Sequence, residues 1–167
     1  MRHILRRREV VEDDWRYAGE DGSDEAGNPA LLVSFADFRT HIAKWRAYPG
    51  RLGVRLSPAD AVEDLAEDIQ RLSLVAAEFP TPGEGRGYSQ GRVLRSRLQF
   101  KGELRAVGAA VKQDLLFILS RCGFDSFELA PGQKIEAALR ALDRYSVAYQ
   151  PAEPVPSIGQ QRYRAAG

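Results

Sequence analysis

The sequence predicts an α/β protein with a largely parallel sheet, and three observations carry that expectation. Short apolar or β-branched runs recur about every 20 to 30 residues, turn residues follow each run, and apolar side chains at helical spacing follow each turn. Alternation of this kind, about five strand-helix units, implies parallel strands joined by right-handed crossovers. Such a sheet closes either as an open layered sheet or as a partial (half) barrel, with about five of the eight units of a complete one. A half barrel leaves two edges that need cover.

Each element follows from its residues. Ile4 to Tyr17 carries the β-formers Ile4, Val10, Val11, Trp15 and Tyr17 among charges and lacks helical periodicity, so it reads as short exposed strands or a hairpin able to cap one edge. Residues 18–29 are small, acidic and turn-forming, the composition of a mobile loop. The strand runs are Leu31-Leu32-Val33, Leu52 to Leu56, Leu72 to Ala77, Glu103 to Val107 and Phe124 to Leu129. Helical stripes follow at Phe38, Ile42 and Trp45, at Val62, Leu65, Ala66 and Ile69, and at Ile135, Ala138, Leu139 and Leu142. Ser57-Pro58-Ala59-Asp60 has the form of a helix start, with a capping serine, proline in the first turn and an acid at the third position. Gly123 after Cys122 suits a helix end. Beyond Gln150, Pro151, Pro154 and Pro156 interrupt a stretch without periodicity, which reads as an extended tail. The expected organisation is an N-terminal arm and acidic loop over 1–29, one α/β domain over 30–149, and a tail over 150–167.

Composition narrows the function classes. The 167 residues are 44% hydrophobic and 28% charged, enough to bury a core without disulfides or metal. With 24 Lys+Arg against 23 Asp+Glu the chain has no overall basic footprint, which argues against a nucleic-acid partner. One Cys forbids an internal disulfide, and two His with one Cys argue against a structural zinc site. No run approaches the roughly 18 apolar residues of a membrane span, and the basic start lacks the apolar stretch of a secretory signal. A cytoplasmic protein with no membrane association is expected.

The densest local signal is the loop Phe79 to Ser89 and the helix that follows it. In a parallel α/β sheet such a loop lies at a strand's C-terminal end, where ligands bind. Its glycines let backbone approach an anion, and Arg86 or Arg92 can add charge-assisted bonds. The glycine spacing matches neither the dinucleotide nor the phosphate-loop pattern, so no cofactor is announced. The alternative is a turn-rich crossover with solvated arginines. In Glu103 to Val107, alternation puts Glu103, Arg105 and Val107 on one face. Either both charges sit at the strand's exposed start, or they form a buried pair that needs partners. Cys122 reads as a small core residue, His41 as a helix-surface residue, and Glu63, Asp64, Glu67 and Asp68 as a solvated helix face. Between Arg86 and Arg105 six basic residues meet one acid, a local field that the overall balance conceals. That basic helix has no interleaved aromatics for stacking nucleic-acid bases.

Gly85-Arg86-Gly87-Tyr88-Ser89, Arg92-Val93-Leu94-Arg95, Phe100 to Gly108 and Arg121 to Phe127 together resemble the bacterial domain-of-unknown-function family 934, with further likeness at Val10 to Trp15 and Tyr149-Gln150-Pro151. The resemblance implies a link to sulfur assimilation, because members are typically encoded beside assimilatory sulfite reductase and are sometimes labelled probable oxidoreductases of sulfite reduction. The chain departs from the family pattern in carrying Glu84 where Asp is usual, Gly91 where Ala is usual, Ala109 where an Asp follows the glycine, and Gln113-Asp114 in reversed order. Two functions are expected. One is an accessory protein or enzyme of sulfite metabolism that binds a small anion or phosphorylated ligand through Arg86, Gly87, Tyr88, Ser89, Arg92, Arg105 and Gln113, with Glu84 as the candidate general acid or base. The other is a non-catalytic scaffold that docks on sulfite reductase or pairs with a second copy of itself.

Overall fold

A computed structural model describes residues 2–18 and 29–144. Most of the expected acidic loop and all of the expected tail lie outside the described residues. The strands are β1 (His3–Arg6), β2 (Glu9–Glu12), β3 (Arg16–Tyr17), β4 (Leu31–Ser34), β5 (Leu52–Leu56), β6 (Leu74–Glu78), β7 (Glu103–Val107) and β8 (Ser126–Phe127). The helices are α1 (Phe35–Thr40), α2 (Ile42–Arg46), α3 (Arg86–Arg92), α4 (Leu116–Arg121) and α5 (Ile135–Asp143).

All eight strands form one sheet in the order β2-β1-β8-β7-β6-β5-β4-β3. From β3 to β8 every neighbouring pair is parallel, whereas β1 runs antiparallel to both β8 and β2. A largely parallel sheet of five units therefore fits only roughly: an antiparallel hairpin is added at one edge and the two-residue β3 at the other. The hairpin caps the β8 edge as expected, but it is not merely exposed, since Ile4 and Leu5 are fully buried.

The curvature follows from chain length. β2 and β3 lie at opposite edges of the sheet, yet only Asp13, Asp14 and Trp15 join them. Four Cα steps reach at most about 14 Å, while eight strands laid flat would separate the edges by about 33 Å. The sheet is accordingly curled into an open half barrel. The helices pack on one face, where Val54, Leu56, Val75, Ala77, Leu104 and Ala106 meet Phe38, Trp45, Leu94 and Leu116. On the other face Leu32, Leu74, Ala76 and Val107 meet Trp15 of the short link. A link that spans the two edges is a chord, so the face it touches is the concave one.

Several helical expectations change form. The stripe Phe38, Ile42, Trp45 is divided at His41 (φ −117°, ψ 39°) into α1 and α2. Asp37 organises this corner: its N–H donates to Ser34 Oγ (3.1 Å), and its carboxylate accepts the Trp45 indole N–H and faces His41 Nδ1, both at 2.9 Å. The stripe from Val62 to Ile69 forms two 3₁₀ turns, Val62–Leu65 and Ile69–Arg71, instead of an α-helix. Val62 with Leu65, and Ile69 with Leu72, are buried pairs three residues apart, the spacing that a 3₁₀ turn brings onto one side. Ser57 starts no helix; its N–H closes a local turn on Asp60 Oδ2 at 2.6 Å. The acids of this segment are paired rather than simply hydrated. Asp64 meets Arg39, Glu63 meets Arg97, and Asp68, only 4% exposed, accepts from Arg46 Nε and Nη2 at 2.8 and 3.0 Å. Gly123 ends α4 with φ +99°, a conformation few other residues adopt.

Candidate functional site

Residues 79–85 leave the C-terminal end of β6 and lead into α3, which continues through a π turn over Val93–Arg97. Two of its glycines are there for packing. A methyl group at Gly87 would lie 2.5 Å from the Phe79 ring, and one at Gly91 2.5 Å from the Phe124 ring. Gly83 and Gly85 face open space. With the inner side of α3 pressed on these aromatics, Arg86, Ser89 and Arg92 stand exposed about one helical turn apart on its outer side. None of their side chains has a hydrogen-bond or ion-pair partner among the described residues. Their basic neighbours differ. Arg95 donates to the Gly123, Phe100 and Gly102 carbonyls at 2.8–2.9 Å and approaches Asp125 at 3.4 Å, while Arg97 meets Glu63 at 3.7 Å.

The residues around this face are ordered by local contacts. Glu84 Oε1 accepts the Arg86 N–H at 3.0 Å. Tyr88 is half-buried, edge-on to Phe79 with ring centroids 5.1 Å apart. Burial first, then the neighbouring Cys122 and Asp114, push its phenol above the ordinary value. Asp114 belongs to the loop after β7. Gln113, in the 3₁₀ turn Gln113–Leu115 of that loop, is exposed, and its N–H donates to Gln133 Oε1 at 3.2 Å.

Arg105 does not join this face. It is fully buried on the concave side, held by Glu103 Oε1 from Nε (3.0 Å) and Nη2 (2.8 Å), and by both Asp13 oxygens from Nη1 (3.1 Å each). Arg2 approaches Asp13 at 2.5 Å, and Arg6 approaches Glu103 at 3.4 Å. The buried pair thus has the partners that the low dielectric demands. Ser126, opposite Arg105 on β8, is also fully buried, and its hydroxyl has no hydrogen-bond partner among the described residues.

Sequence reasoning missed the rest of the concave network. At the C-terminal ends of β5 and β6, Arg55 donates to Glu78 at 2.9 Å. Tyr17 donates to Glu128 Oε2 at 2.9 Å, and the guanidiniums of Arg2 and Arg55 lie 4.7 and 5.5 Å from the centre of its ring. A signal existed: alternation within β5 and β6 puts Arg55 and Glu78 on the same face as Arg105. Asp13 carries no such signal, because its role comes from the chord.

Among the described residues no three His, Cys, Asp or Glu side chains are grouped to hold a metal, and no helix is long and apolar enough to cross a membrane. Residues 53–157, more than half of the chain, match the model of a family described as a bacterial protein of unknown function (DUF934). No curated protein matches the chain.

Proposed function

The chain belongs to the bacterial family of unknown function DUF934, and from that premise we propose an accessory protein of assimilatory sulfur metabolism whose α3 face binds a small anion or a phosphorylated ligand. The sulfur assignment is supported by the gene neighbourhood that the resemblance implies. The anion assignment is carried by one observation: Arg86 and Arg92 flank Ser89 on an exposed face with no carboxylate partner among the described residues, while Arg95 and Arg97 beside them are engaged. Arg86 and Arg92 hold the anion by charge-assisted bonds, and Ser89 and Tyr88 orient it through their hydroxyls. Glu84 borders this face and Gln113 reaches towards it from the loop after β7, whereas Gly87 is buried against Phe79 and only lets the helix pack. Glu84 is the candidate proton acceptor, with one carboxylate oxygen already fixed by the Arg86 N–H.

Thermal melts with sulfite, sulfate and adenylylated sulfate test this reading. Stabilisation by a ligand that binds only the folded state is expected, and Arg86→Ala should remove it. No shift with any of the three would sink the binding role. The placement of both arginines on the outer side of a helix, rather than in a cleft, also favours docking on an acidic surface of a larger enzyme such as sulfite reductase, or on a second copy of the chain. Copurification and sedimentation at micromolar concentration decide that second reading; an absence of complex removes it. Both readings are of a cytoplasmic protein.

A further inference from the structure

Between α2, the Ile69–Arg71 turn and the first residue of β5 lies a cleft of about 130 Å³, on the side of the sheet opposite to the concave network. Phe38, Trp45, Leu52 and Leu72 line it, each 5% exposed or less, so its walls are fixed parts of the core. Its aromatic polar groups are already committed. The Trp45 indole N–H donates to Asp37 at 2.9 Å and the Tyr48 hydroxyl to the Pro29 carbonyl at 2.6 Å, and the Lys44 ammonium lies 4.3 Å from the centre of the Trp45 ring. Asp68 in its wall is engaged by Arg46. One charge at the cleft has no side-chain hydrogen bond among the described residues, only a long ion pair. The Arg71 side chain is 65% exposed, and its nearest carboxylate oxygen, on Asp68, stands 3.9 Å from Nε, beyond hydrogen-bond range.

Size and chemistry together select an occupant. An apolar cavity of about 150 Å³ admits a single benzene, so this cleft admits one ring and little more. Aromatic walls favour an aromatic guest in edge-on or offset contact. A guanidinium whose N–H donors are not used in hydrogen bonds favours a planar carboxylate, which it meets with two parallel N–H donors. We propose that this cleft binds a small aromatic carboxylate, one ring bearing one acid group, with the ring against Phe38 and Trp45 and the carboxylate on Arg71.

Trp45 supplies the readout. Tryptophan fluorescence of the full chain is titrated with benzoate and with benzamide, its neutral counterpart of the same shape. Benzoate is expected to give a saturable change, with benzamide binding at least tenfold more weakly. Arg71→Gln should bring the two affinities together while leaving the melting temperature unchanged, because Arg71 is exposed. Arg86→Ala should titrate like the parent protein, which separates this site from the α3 face. The proposal is overturned if benzoate gives no saturable change, if benzamide binds the parent protein as well as benzoate does, or if Arg86→Ala removes the signal.

Discussion

A methyl group at Gly91 would lie 2.5 Å from the Phe124 ring and 3.2 Å from the Cys122 carbonyl. Helix propensity alone favours Gly91→Ala by up to about 1 kcal/mol, whereas overpacking a filled core costs about 1–3 kcal/mol. The net expectation is a less stable protein, by about 1 kcal/mol, measured as a lower urea midpoint. Asp13 matters through the charge that it satisfies. Asp13→Asn leaves the buried Arg105 with Glu103 as its one carboxylate partner, and removing half of such a network costs about 3 kcal/mol. A loss under about 1 kcal/mol would show that Glu103 suffices. Burial, followed by the charge and hydrogen bond of Glu128, raises the Tyr17 phenol above its usual value. Its contribution is therefore complete below the unfolded value of about pH 10 and is lost as pH rises beyond it. Tyr17→Phe should cost about 1 kcal/mol at neutral pH and give a shallower decline in alkaline urea melts. Equal alkaline slopes would rule out this account.

The strands were more legible than the helices, and the reason is physical. A strand buried on both faces shows itself as an apolar run, so β5 and β7 lie where the runs are, and β4 is only one residue longer than its run. A helical stripe records which residues are buried and not the backbone that buries them. Of the expected stripe Val62, Leu65 and Ile69 are buried and Ala66 is exposed, because 3₁₀ turns bring residues three apart onto one side and leave the fourth outside. The candidate site divides in the same way. Local sequence located the α3 face, but the fate of Arg105 depended on Asp13, 92 residues away. For α3 itself, Arg86→Ala and Arg92→Ala together should leave stability within about 0.5 kcal/mol, since neither side chain is buried or paired among the described residues. A larger loss would show that these arginines hold the fold.

At the scale of the whole molecule, residues 2–17 both extend the sheet and fill its concave side. Removing them uncovers the β8 edge and takes Asp13 and Arg6 from the buried charges. The truncated chain is expected to lose its near-ultraviolet circular dichroism and to associate on gel filtration. A monomer with native near-ultraviolet signal would show that the arm is dispensable. The chord formed by Asp13, Asp14 and Trp15 has a consequence in time as well as in space. β1 leaves the ribosome well before the β8 with which it pairs, so Leu5 must wait for Phe127 to be synthesised, and Arg7 for Asp125. During synthesis β4 to β7 can assemble while the arm is still unpaired on one side, so β1 is locked in only after β8 has been made.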